Sequence, residues 1–184
     1  MDETRTAVRR LKHGDIGGLE TLFARHQVRA VRTAFLILQD EAAAQDVVQE
    51  TFLRIYQKIH QFDETQPFEP YLLKSVVHAA LNAARRVRRT VPWDGDLTEI
   101  ESLLEGGDSP EDHVEASQRS EQILSALARL SPRQRAAIVQ RYYLEMSEQE
   151  MSVSLQAAPG TVKWLLHAAR ARLRDLLRPE RSSE

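Results

Sequence analysis

Apolar residues recur along this chain at steps of three and four, the spacing that lines one face of a helix. Leu19, Leu22 and Phe23, then Val28, Val31, Phe35 and Leu38, predict buried helix faces in the opening stretch. Asp15 is placed to cap the first of these helices and Asp40 the next, which the pattern carries to about Ile59. In that segment Val47, Val48, Phe52, Ile55, Tyr56 and Ile59 form the apolar stripe, while Asp46, Gln49, Glu50 and Arg54 fall largely off it. A further helix is predicted from near Pro70, since a proline in the first turn loses no hydrogen bond. It runs through Leu72, Leu73, Val76, Val77 and Leu81 to the cluster Arg85-Arg86-Val87-Arg88-Arg89.

Turn formers and acid interrupt the pattern over 90–115, notably Val91-Pro92-Trp93-Asp94-Gly95 and Glu105-Gly106-Gly107-Asp108-Ser109-Pro110. This stretch reads as a tether with a short helical turn near Leu103, and helices resume near Val114. Ser131-Pro132 supplies a cap and a first-turn proline for a helix over Arg133–Tyr143. Ser147 with Glu150 makes a capping box for a short helix, Glu148–Gln156. Ala157-Ala158 then turns the chain, and Pro159 opens a last helix to about Leu177. No strand alternation or internal repeat competes with this reading. The expected fold is all-α: two small helical domains, over 1–89 and 116–184, joined by an acidic flexible linker over 90–115.

Charge sharpens the division. The net charge of the 184 residues is only −2, which by itself argues against a polyanionic partner. Residues 1–90 hold 14 basic and 11 acidic groups, 91–120 hold 1 and 9, and 121–184 hold 10 and 7. Two blocks of +3 thus flank a strip of −8. The absence of cysteine excludes disulfides and thiolate metal sites. The charged start Met1-Asp2-Glu3-Thr4-Arg5 and the lack of a long apolar run predict a cytoplasmic protein without signal peptide or membrane insertion.

Three constellations suggest binding. The helices flanking Ala157-Ala158 fit a helix-turn-helix. At 100° per residue, Val162, Leu166, Ala169 and Leu173 share the buried face of the second helix. Thr161, Trp164 and Ala168 point the other way, with Lys163, His167 and Arg170 on one flank, suited to bases and phosphates in a major groove. The same pattern also suits an ordinary helical hairpin with a solvated basic face. The arginines from Arg85 to Arg89 can neutralise phosphates or only complement a helix end. Phe62-Asp63-Glu64-Thr65-Gln66-Pro67-Phe68 is a loop whose aromatics either trap an unstacked base or anchor helix ends. Catalysis finds no such support: the six histidines are scattered, and no phosphate loop or nucleophile motif is present. Asp46 and Glu50 lie one turn apart on an open face, as a contact surface would. No metal or cofactor is expected, and no enzymatic activity.

Taken together these residues resemble the extracytoplasmic-function sigma factors. Asp46, Gln49, Glu50 and Phe52 stand in the pattern Asp-x-x-Gln-Glu-x-Phe of the family's polymerase-docking helix. Leu130-Ser131-Pro132-Arg133-Gln134-Arg135 resembles the opening of its second domain, and Thr161-Val162-Lys163, Leu166-His167 and Ala169-Arg170 its recognition helix. The resemblance spans about 15–89 and 120–177.

It implies a sigma domain 2 that holds core RNA polymerase through Asp46, Gln49, Glu50, Phe52 and Arg54. Phe62, Asp63 and Phe68 would border a pocket for a base flipped from the −10 element. Tyr71, Lys74, Asn82, Arg85, Arg86, Arg88 and Arg89 would hold the melted strand and upstream duplex. Sigma domain 4 would read the −35 element of promoter DNA with Thr161, Lys163, Trp164, His167 and Arg170, with Arg133 and Arg135 on phosphates. An anti-sigma factor is the implied controlling partner. This sequence departs from the family pattern at Trp164, Leu165 and Ala168. Trp164 is expected to meet DNA or a partner, and Leu165 to be core. A helix-turn-helix regulator acting without polymerase would leave the Asp46 to Arg54 face without a use.

Overall fold

The computed structural model describes residues 3–87 and 120–178, and every regular element among them is helical. The chain forms two compact units that divide after Val87. The acidic strip, Arg88, Arg89, the turn expected near Leu103 and the helical restart near Val114 lie outside the described residues.

The first unit holds α1 (Glu3–Lys12), α2 (Gly17–Leu38), α3 (Glu41–Lys58, extended by a 3-10 turn at Ile59–Gln61) and α4 (Phe68–Val87). Helix α2 is central and packs on the other three. Its approach to α1 requires glycine: a Cβ at Gly18 would fall 2.4 Å from the Ala7 carbonyl oxygen and 2.8 Å from the Leu11 nitrogen. Leu11, Leu22, Ile37, Ile59 and Leu72 are among the fully buried side chains. Asp40 caps α3, accepting from the Ala43 N–H at 2.9 Å, as its residue type predicts. Asp15 instead accepts from the Gly17 N–H at 2.9 Å, and Ile16 bounds α2 without a side-chain cap.

Two expectations about the stripes are corrected. Val28 is 76% exposed, because the buried line of α2 runs Leu22, His26, Ala30, Thr33 and Ile37. Small and polar residues carry that line, and Thr33 satisfies its hydroxyl by donating to the Arg29 carbonyl at 2.8 Å. Tyr56 is also exposed, at 41%, while Val47, Val48, Phe52, Ile55 and Ile59 are buried.

The second unit holds a helix over 120–128 (α5), α6 (Pro132–Ile138), α7 (Glu148–Leu155) and α8 (Pro159–Leu177). Capping boxes open α6, between Ser131 and Gln134, and α7, between Ser147 and Glu150. The Ser147 hydroxyl and N–H hold the Glu150 carboxyl below the usual glutamate range. Helix α6 does not stay α-helical to Tyr143. Val139–Tyr143 widens into a π turn, with the Leu144 N–H donating to the Val139 carbonyl at 2.9 Å. Gln156 closes α7 in the left-handed region at φ 48°. Both α6 and α7 pack against α8. Among the described residues no helix is long and apolar enough to cross a membrane.

Candidate functional site

Three outward surfaces gather the residues singled out by sequence. The first is the outer face of α3. Asp46, Gln49, Glu50 and Arg54 are all exposed, and Arg54 donates to Glu50 at 2.6 Å across one helical turn. Beside them runs an apolar groove of about 420 Å³, lined by Ile16, Leu19, Glu20, Phe23, Gln49, Phe52 and Leu53. Leu53 and Ile16 stand 57% and 58% exposed at its rim. Phe52 corrects the expectation of a direct contact. It is 3% exposed and packs edge-on to Phe23 at 5.0 Å, so it shapes this surface from beneath.

The second surface joins the 62–67 loop to α4. Phe62 and Phe68 are buried, at 7% and 4% exposure. Their rings meet at 5.8 Å, with Tyr71 4.8 Å from Phe62 and His26 5.6 Å from Phe68. They are anchors for helix ends, and their faces are closed to a stacked base. What the loop exposes is Asp63, Thr65, Gln66 and Pro67. Asp63 closes its own turn, accepting from the Thr65 N–H at 2.9 Å and hydroxyl at 2.8 Å. Those bonds push its carboxyl below the usual range. Along α4, Tyr71, Lys74, His78, Asn82 and Arg85 fall within about 80° of one another at 100° per residue. Tyr71 and Lys74 are half-buried, and Asn82, Arg85 and Arg86 are exposed.

Helix α1 carries the residues that the sequence reading missed. Lys12 Nζ donates to the Phe62 carbonyl at 2.7 Å, Arg9 Nε to Glu64 at 2.9 Å and Arg5 to the Glu64 carbonyl at 3.2 Å. Their spacing of four and three residues was the available signal. Arg9 and then Lys12 hold the Glu64 carboxyl below its usual range.

The third surface is the α7–α8 pair. Thr161, Lys163, Trp164 and His167 are exposed on α8, Trp164 at 43%. Val162, Leu165, Leu166, Ala169 and Leu173 are buried as expected. Ala168 is buried too, at 6%, against the expectation that it points outward, because α8 takes both α6 and α7 on its inner side. Arg170 is half-buried and donates to the Tyr142 hydroxyl at 3.0 Å. Arg133 is exposed, its guanidinium 3.5 Å from the Leu155 carbonyl. Arg135 corrects the expectation of a phosphate contact. It is 8% exposed, and its Nη1 donates to the Leu130, Ala128 and Leu127 carbonyls at 2.9, 3.3 and 3.5 Å. That guanidinium closes the end of α5.

Comparison with known proteins places these surfaces in context. The profile of Sigma-70 region 2 matches residues 22–90, and that of Sigma-70 region 4 matches 120–173. The chain is 26% identical to the ECF RNA polymerase sigma factor SigW of Bacillus subtilis, over 93% of this chain and 95% of that one. It is 32% identical to the ECF RNA polymerase sigma factor SigL of Mycobacterium tuberculosis, over 85% and 86%. Among solved structures, CnrH in complex with the cytosolic domain of CnrY aligns at a TM-score of 0.62 with 24% identity, over 96% of this chain and 97% of that one. The Bartonella quintana sigma factor RpoE, solved with the anti-sigma factor NepR, aligns at 0.60 with 19% identity, over 88% and 98%. At these identities the two structures speak for the shared fold.

Proposed function

We infer the function from one premise: this chain belongs to the Sigma-70 family of RNA polymerase sigma factors, in its extracytoplasmic-function branch. It is a transcription initiation factor that joins core RNA polymerase and directs it to promoters. The observation that carries this reading is the ordered presence of both regions on separate units, the second bearing a helix-turn-helix with an exposed outer face.

The division of labour among residues is our proposal. Asp46, Gln49, Glu50 and Arg54 contact the polymerase, with the neighbouring apolar groove adding buried area. The 63–67 loop meets an unstacked −10 base with Thr65, Gln66 and Pro67, while Tyr71, Lys74, Asn82, Arg85 and Arg86 hold the strand. Flipping that base costs a few kcal/mol, which the cations and the half-exposed Tyr71 ring must offset. Thr161, Lys163, Trp164 and His167 enter the −35 major groove, Trp164 offering an apolar face to a thymine methyl. Arg133 supports the backbone beside them. The protein performs no chemistry of its own and works in the cytoplasm beside the polymerase. An anti-sigma protein controls it, a reading supported by the fold it shares with the Bartonella quintana factor solved in complex with NepR.

Transcription reconstituted with purified core polymerase and a randomised promoter library tests the assignment. The expected result is initiation that depends on the chain and recovers two spaced elements. Site-specific binding by the chain alone, without effect on polymerase, would instead describe a free-standing regulator.

A further inference from the structure

We propose that α1 is a positioning element for −10 recognition, in which Arg5, Arg9 and Lys12 fix the 62–67 loop in the attitude that meets the melted strand. The inference rests on the reading of that loop as a promoter contact. The three cations lie on one face of α1 and converge on one residue. Glu64 is held through both carboxylate oxygens, by Arg9 at 2.9 Å and Lys12 at 3.3 Å, and through its backbone carbonyl by Arg5 at 3.2 Å. Lys12 also takes the Phe62 carbonyl at 2.7 Å, at the start of the loop.

The loop does not need α1 to close. The Gln66 N–H donates to the Asp63 carbonyl at 3.1 Å, and Asp63 holds Thr65 twice. What α1 adds is orientation and charge. Asp63 and Glu64 place two carboxylates in a loop that approaches a polyanion, an arrangement that repels the strand unless cations offset it. The cations on Glu64 supply that offset while leaving Thr65, Gln66 and Pro67 outward. Ion pairs this exposed, with the Arg9 side chain at 61%, add little to stability. The match to Sigma-70 region 2 begins at residue 22, so α1 lies outside the matched segment while Glu64, the residue it holds, lies within it.

The test uses the full chain with core polymerase on a library randomised in the −10 element. Arg9→Gln alone, and Arg9→Gln with Lys12→Met, are expected to lower discrimination among −10 sequences by roughly three- to fivefold. Core affinity and −35 preference should be unchanged. Glu64→Arg should do the same, and combining it with Arg9→Glu, which leaves Lys12 on the Phe62 carbonyl, should restore discrimination. A uniform loss across all −10 sequences with discrimination unchanged, no change at all, or failure of the swap to restore discrimination would overturn the proposal. Gln66→Ala separates the two layers. If it shifts −10 preference while the α1 variants do not, only this inference falls. If it too is silent, the loop is no promoter contact and both fall.

Discussion

The two units differ in which aromatic and cationic side chains they bury. In the first, Phe52, Phe62 and Phe68 are buried while Arg9, Arg25, Arg54, Arg85 and Arg86 stand in solvent. In the second, Arg135 is buried on three carbonyl oxygens and Trp164 is 43% exposed. Residue type alone therefore assigns no role. An aromatic beside a loop is an anchor where its ring completes a core, and can meet a partner only where the helix turns it outward. An arginine is a phosphate contact only if the fold leaves its guanidinium unspent.

The contrast yields a graded set of expectations. Phe52→Ala should cost about 3–5 kcal/mol, as large-to-small changes of buried aromatics do, and should loosen amides of α2 and α3 in hydrogen exchange while sparing the second unit. Arg135→Met should cost about 2–3 kcal/mol by stranding buried carbonyls at the end of α5, with the exchange confined to the second unit. If that variant kept its stability and lost only DNA affinity, the phosphate role would be reinstated. Trp164→Ala should leave unfolding within about 0.5 kcal/mol of the parent. Discrimination at one −35 position should nonetheless fall by about five- to tenfold, an effect of about 1–1.4 kcal/mol.

The smallest effect concerns the α7 cap. Ser147→Ala should cost about 1 kcal/mol at neutral pH, read by thermal unfolding. Glu150 titrates below its ordinary value because Ser147 donates to it. Its contribution is therefore fully present above the unfolded pKa and is lost as the pH falls through the lowered folded one. The Ser147→Ala penalty should shrink across that acidic window.

Much of this was legible because it is locally encoded. Asp40, Ser131 with Gln134, and Ser147 with Glu150 bond to backbone three residues away, so their roles follow from short-range spacing. The polar face of Asp46, Gln49 and Glu50 and the burial of Leu165 likewise follow from helical phase. What escaped depends on neighbours. Helix α1 buries only Ala7, Val8 and Leu11, too short a stripe to announce itself, and its hold on Glu64 spans more than fifty positions. Ala168 is buried because two helices cover α8, and Arg135 turns inward because the carbonyls of α5 end beside it. The π turn at Val139–Tyr143 leaves no periodic trace.

The central claim is that α3 faces the polymerase while α8 faces the promoter. Titration of labelled chain with core polymerase, free of inhibitor, tests it most directly. Asp46→Lys with Glu50→Lys should weaken core binding tenfold or more with the fold intact, while Lys163→Glu should leave core affinity unchanged and depress only −35 occupancy. Equal core affinity for the α3 variant and the parent would contradict the account.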